Sequence, residues 1–328
     1  MFTLPAPFSR STLASCLQRL RLLPAKDVNG AGRAIMGSGR FALRQVCPAV
    51  AYCLRVPERE CLSILRGNRS FLQQVEQRRN KRQSRAALRQ HLHSWQFPQQ
   101  QAYRQLVARD SRPRIIASYH FGDFVYGMNL LLRDEVDQRP CRVLTLQPSF
   151  PVYFHNMARA FGERGARPEN QLPMTRTSLR ELSAFLRHTQ GTLVTFCDLP
   201  PGFGATTEVH FLGRRAWFPR GAATLALRNR VPLLPAVNCY RNGQHQLLLA
   251  AQIEPGEYRQ LEPGRAVQAI TQRLVNLLQE CLQQSPEQWR YLAALPGYFQ
   301  PPRHQVSAQQ GESETRQRNS LGVLHAGI

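Results

Sequence analysis

Residues 114–125, RIIASYHFGDFV, change their period partway along. The short apolar run 115–117, rich in β-branched side chains, reads as a buried strand. Gly122 then opens a turn, after which Phe124, Met128, Leu131 and Leu132 recur at helical spacing. A strand that passes through a tight turn into a helix is the building unit of an α/β fold. The turn carries His120, a histidine at the carboxyl end of a strand and beside a helix start. Clefts of open α/β sheets lie at that end of the strands, and an imidazole there can act as a general base.

The same alternation continues downstream. Candidate strands are 115–117, 142–146, 193–196, 233–238 and 247–251. Residues 177–188 form a candidate helix with Leu179, Leu182, Phe185 and Leu186 on one face. Residues 265–284 form another, with Val267, Ile270, Leu274, Leu277 and Leu278 at three- and four-residue steps. The fold class expected is α/β, a central mixed sheet flanked by helices, with a helical N-terminal region. By segment, 1–40 is expected to be weakly ordered and 41–110 a basic helical region. Residues 111–300 form the α/β domain, and 301–328, polar and aperiodic, a disordered tail.

The chain has 328 residues and a formal net charge of +22, carried almost wholly by arginine, with Lys26 and Lys81 the lysines. Such a balance reflects either a biased genome or a polyanionic partner: nucleic acid, anionic lipid, a phosphorylated substrate or an acidic carrier protein. Between Arg66 and Arg89 the only acid is Glu76. That run is either a solvated helix face or a surface for anionic headgroups or an acidic partner. It lacks the interleaved aromatics of a nucleic-acid module, so no nucleic acid is expected. No apolar run of about 18 residues is present, and the N-terminus is a poor signal peptide. Residues 41–56, interrupted by Arg44, Pro48 and Arg55, do not read as a membrane helix. The 8 cysteines are scattered without a Cys-x-x-Cys pair, which argues against zinc and disulfides and for a reducing compartment.

Three further blocks carry chemistry: GTLVTFCD (191–198), FLGRRAWFPRGAATLA (211–226) and VPLLPAV (231–237). The first is a strand ending at Asp198. In the second, a glycine turn is flanked by Arg214, Arg215 and Arg220 and leads into a small-residue helix. Backbone N–H groups at a helix start, with arginines beside them, make an anion site, although arginines around a turn are often plain surface. Trp217 and Phe218 either pack beneath the loop or face a membrane interface. His91 and His93, in the basic helical stretch, read as surface residues. His155 is within helical reach of Arg159.

In order and spacing, these blocks, His120 and the later SPEQW (285–289) resemble the bacterial lipid A biosynthesis acyltransferase family, over roughly residues 60–295. The resemblance implies an acyltransferase fold at the cytoplasmic face of the bacterial inner membrane, here held peripherally through basic and aromatic surface. It implies acyl transfer from an acyl carrier protein (or CoA) thioester to a hydroxyl or amine of a lipid or glycolipid, with no metal or organic cofactor. His120 would take the proton of the attacking group. Arg159, Asp198, Phe211, Gly213 and Arg214 match family positions for substrate contact, and Arg215 and Arg220 flank the same turn.

One departure stands out. The family signature places Asp or Glu after His and four intervening residues, where this chain has Val125. The nearest carboxylate, Asp123, is expected either to pair with His120 or to cap the following helix. The alternative function is a catalytically inactive family member that binds anionic lipid or an acidic carrier.

Overall fold

The computed structural model describes residues 40–80, 84–135, 139–145, 171–173 and 178–301. The expected weak order before residue 40 and the expected tail after residue 301 lie outside them, as do His155 and Arg159. Four helices come first: α1 (Arg40–Leu54), α2 (Glu58–Asn80), α3 (Arg85–His93) and α4 (Gln100–Arg109). Then follow β1 (Arg114–Ser118), α5 (Phe124–Glu135), β2 (Cys141–Thr145), β3 (Gln171–Pro173), α6 (Leu179–Thr189) and β4 (Thr192–Phe196). The chain continues through β5 (Thr206–Phe211), β6 (Arg214–Pro219), α7 (Gly221–Asn229), β7 (Leu233–Arg241), β8 (Gln244–Leu249) and α8 (Pro263–Gln284). Two short 3₁₀ segments, Pro286–Gln288 and Leu292–Phe299, close the described region.

Six strands form one sheet in the order β3-β2-β4-β1-β7-β8, and β5 and β6 form a separate hairpin. All neighbours in the large sheet run parallel except β7 and β8. This is a mixed sheet with an antiparallel edge strand, as expected from the alternating pattern. Its middle strand, β1, is buried along its whole length. Because side chains alternate across a strand, Ile115 and Ala117 enter the core under α1, α7 and α8, while Ile116 enters the one beneath α4 and α5.

Several boundaries differ from the sequence reading by a few residues. β2 and β8 begin earlier than expected, since strand ends are set by pairing partners and not by apolar content. The segment ending at Leu212 is one arm of the β5–β6 hairpin, whose turn holds Leu212 and Gly213 at positive φ (50° and 72°). α1 runs through Pro48 without a break. No described helix is long and apolar enough to cross a membrane.

The N-terminal helices share the main core with the sheet: Leu43, Val50 and Leu65 belong to the same buried cluster as Ile115, Phe211 and Trp289. α2 also reaches the end of the chain, because buried Asn68 donates from Nδ2 to the carbonyls of Glu287 (2.8 Å) and Trp289 (2.7 Å). Those bonds fix the segment that borders the candidate site.

Candidate active site

His120 lies two residues beyond the carboxyl end of β1. Parallel pairing with β4 sets Ser118 against Phe196, so Asp198, two residues beyond β4, arrives beside it. His120 Nδ1 is 2.8 Å from Asp198 Oδ1, and the His120 backbone N–H donates to Asp198 Oδ2 at 2.7 Å. Trp289 Nε1–H donates to the same oxygen at 2.9 Å, and the Tyr298 hydroxyl donates to the Asp198 carbonyl at 2.6 Å. Asp198 and Trp289 are completely buried, and His120 retains a small exposed fraction (9%).

These contacts select a tautomer. An ionised carboxylate only accepts hydrogen bonds, so Nδ1 carries the proton and Nε2 keeps its lone pair. Nε2 makes no hydrogen bond among the described residues and is the atom available to take a proton. Around the ring pack Phe124 (centroids 4.7 Å apart), Phe196 (4.3 Å) and Tyr291 (5.0 Å). The arrangement is a buried carboxylate, an oriented imidazole and an aromatic wall. It suits abstraction of a proton from a hydroxyl or amine.

The backbone around the histidine is equally fixed. The His120 carbonyl accepts from Arg290 N–H at 2.9 Å, and Gly122 N–H donates to the Gln288 carbonyl at 3.1 Å. Gly122 has φ +59°, and a Cβ there would collide with the Asn238 carbonyl oxygen. Only glycine fits this turn.

The expected pairing of Asp123 with His120 is corrected by this geometry. Asp123 is completely buried, but its Oδ2 lies 3.6 Å from Arg78 Nη1 of α2, and the carboxylate on the imidazole belongs to Asp198. At the first turn of α5 the Asp123 side chain leaves on the side of α2, whereas His120 faces β4. His91 is likewise not a surface residue. Trp95 Nε1–H donates to its Nε2 (3.3 Å), and its ring packs on Tyr126 and His245. Burial pushes its pKa down. His93 is exposed, as expected.

The residues of the glycine turn are disposed unequally. Phe211 is completely buried against Phe218, Trp289 and Phe299, one ring away from the indole that holds Asp198. Arg214 reaches α1: it donates to the Cys53 carbonyl at 3.0 Å and lies over the rings of Tyr52 (4.7 Å) and Phe299 (4.2 Å). Arg215 pairs with Glu208 on the exposed face of the hairpin. Arg220 precedes α7 and is exposed, and no described residue pairs with its guanidinium. Gly213 occupies the turn at φ +72°. Phe218 is buried under the hairpin, not presented outward.

The sequence reading did not select Trp289 or Tyr291. Trp289 ends the SPEQW block and Tyr291 lies two residues past it, but a tryptophan or tyrosine near the end of a domain reads as core unless its polar atom can be traced.

The sequence model of the bacterial lipid A biosynthesis acyltransferase family matches residues 154–295. The match takes in Asp198, the glycine turn, Trp289 and Tyr291, and begins after His120. A search of curated proteins returns no match.

Proposed function

We propose that this chain, whose residues 154–295 match the bacterial lipid A biosynthesis acyltransferase family, transfers an acyl group to a lipid. On that premise we propose that this acyltransferase takes its acyl group from an acyl carrier protein or CoA thioester and passes it to a hydroxyl or amine of a lipid or glycolipid, with His120 as general base. The observation that carries this reading is the 2.8 Å contact between His120 Nδ1 and the buried Asp198 carboxylate.

In the proposed step, Nε2 of His120 takes the proton as the acceptor oxygen or nitrogen attacks the thioester carbonyl. The imidazolium that forms is stabilised by Asp198 through Nδ1–H. Collapse of the tetrahedral adduct expels the thiolate, which recovers the proton from His120. Asp198 thus takes the orienting role that Val125 cannot fill. Its own orientation is held by Trp289, and Trp289 in turn by Asn68.

Acceptor recognition is assigned to the anion-binding end of α7. The backbone amides of its first turn and Arg220 would meet a phosphate or sugar there. Arg215 is available in part, and Arg159 remains a proposed substrate contact. Phe211 and Gly213 would shape the turn, and Arg214 would hold it against α1. The net charge of +22 supports an acidic carrier as donor and peripheral attachment to an anionic membrane, at the cytoplasmic face of the bacterial inner membrane.

The test is direct. Purified protein is supplied with acyl carrier protein or CoA thioesters and candidate lipid acceptors, beside His120→Ala and Asp198→Asn variants. Product formation lost in His120→Ala is the expected result. Undiminished turnover in that variant overturns the assignment of the base.

A further inference from the structure

Attack on a thioester leaves negative charge on the carbonyl oxygen, and enzymes of acyl transfer aim a hydrogen-bond donor at that position. Around His120 several backbone donors are already committed. His120 N–H goes to Asp198, Gly122 N–H to Gln288, Arg290 N–H to His120 and Cys197 N–H to Ser118. The indole N–H of Trp289 and the hydroxyl of Tyr298 are spent on Asp198.

Tyr291 is different. Of the three rings packed on the imidazole among the described residues, it is the one with a polar donor. Its ring is buried (9% exposed), and its hydroxyl has no hydrogen-bond partner among the described residues. A phenol oxygen lies about one ring diameter from its own ring centre. With ring centroids 5.0 Å apart, Tyr291 is near enough to His120 for its hydroxyl to reach a tetrahedral adduct hydrogen-bonded at its other end to the imidazole. Resting on the function proposed above, we propose that Tyr291 is a catalytic residue whose hydroxyl donates a hydrogen bond to the oxyanion of that adduct.

The step balances without proton transfer from the phenol. The acceptor's lone pair forms the new bond to the carbonyl carbon, its proton goes to His120 Nε2, and the carbonyl π pair moves onto oxygen. The Tyr291 O–H stabilises that oxygen until the pair returns, the carbon–sulfur bond breaks, and the thiolate takes the proton from His120. Burial raises the phenol pKa well above its ordinary value, with Asp198 adding to the rise and Arg290 opposing it. The phenol therefore keeps its proton, and remains a donor, at neutral pH.

The experiment is Tyr291→Phe, which removes one oxygen and leaves the ring against His120. The expected result is a kcat lower by about 100-fold or more with KM and melting temperature unchanged, the scale of a lost oxyanion donor. Wild-type kcat in this variant overturns the inference. If Y291F fails to fold, replacement of Tyr291 by 3-fluorotyrosine keeps the shape and acidifies the phenol. An alkaline fall in kcat at lower pH than in the wild type is then expected, and an unmoved limb overturns the inference. His120→Ala separates the two levels. Full activity in H120A defeats the function proposed above and this inference with it. Loss in H120A alongside full activity in Y291F defeats the inference alone.

Discussion

His120 and Asp198 stand at the same height above the sheet, each two residues beyond the paired strand ends Ser118 and Phe196. The residues are 78 positions apart in the chain, yet their side chains meet at 2.8 Å. Two adjacent parallel strands, each ending in a chemically active residue at equal offset, form the dyad. A carboxylate within the same turn is not needed.

This relationship separates the two aspartates by experiment. Asp198→Asn removes the acceptor that fixes the Nδ1–H tautomer, and turnover should fall by about 10³- to 10⁴-fold. Asp123→Asn should leave kcat within a few-fold and lower stability by about 1–3 kcal/mol through its contact with Arg78. Steady-state rates and urea unfolding of both variants check this. Comparable activity losses in the two would contradict the assignment.

Trp289→Phe deletes the donor to Asp198 Oδ2 while keeping an aromatic ring in the core. A destabilisation of about 1–3 kcal/mol is expected from the buried acceptor left short of a partner, together with a drop of roughly tenfold in turnover. Calorimetry and initial rates on one preparation measure both. Stability lost without any change in rate would mean that the indole supports the fold and not the dyad.

Gly122→Ala should cost about 3 kcal/mol or more, because its positive φ and the rigid Asn238 carbonyl leave no room for Cβ. Gly127→Ala should be milder, since Gly127 sits inside α5 without a positive φ and its Cβ would meet side chains, the Asn238 amide and the Trp95 ring, and not backbone. Melting temperatures in that order are the expected result, and the reverse order would count against the turn geometry.

His245 adds a pH dependence. Its ring stacks on Trp95 with centroids 4.8 Å apart, and Nε2 lies 2.8 Å from Arg78 Nη1. Burial lowers its pKa from 6.5 to about 4, with Arg78 and His91 adding to the fall and Asp123 opposing it. In the pH window between those two values the unfolded chain binds the proton and the folded chain does not. The stability due to this group is therefore complete above pH 6.5. It is lost toward pH 4 at up to about 1.4 kcal/mol per pH unit. Chemical unfolding between pH 7 and 5 should show a smaller slope in His245→Gln than in the wild type. Equal slopes would remove His245 from the acid sensitivity.

Arg214 and Arg220 should part company. Arg214→Ala loses the bond to Cys53 and the stacking on Tyr52 and Phe299, so about 1–3 kcal/mol of stability should go. Arg220→Ala should leave the melting temperature alone and raise KM for a phosphorylated acceptor several-fold. A KM unchanged in Arg220→Ala would take the anion site away from α7.

The sequence by itself determined the local elements and the fold class, because period and turn chemistry act over a few residues. The run at 115–117, the turn glycine Gly122 and the apolar spacing from Phe124 specify β1, its turn and α5. His120 and Asp198 were legible one at a time, each as a polar residue at a strand end. Their partnership was not, because β1 and β4 are neighbours only after the intervening chain has crossed over, and no local pattern encodes that adjacency. Asp123 looked closer in sequence, but the first turn of α5 directs it to Arg78. Trp289 and Tyr291 lie farther still along the chain, and only packing against the ends of β1 and β4 brings them to the imidazole. Strand order is a property of the whole core, and strand order decided which carboxylate His120 holds.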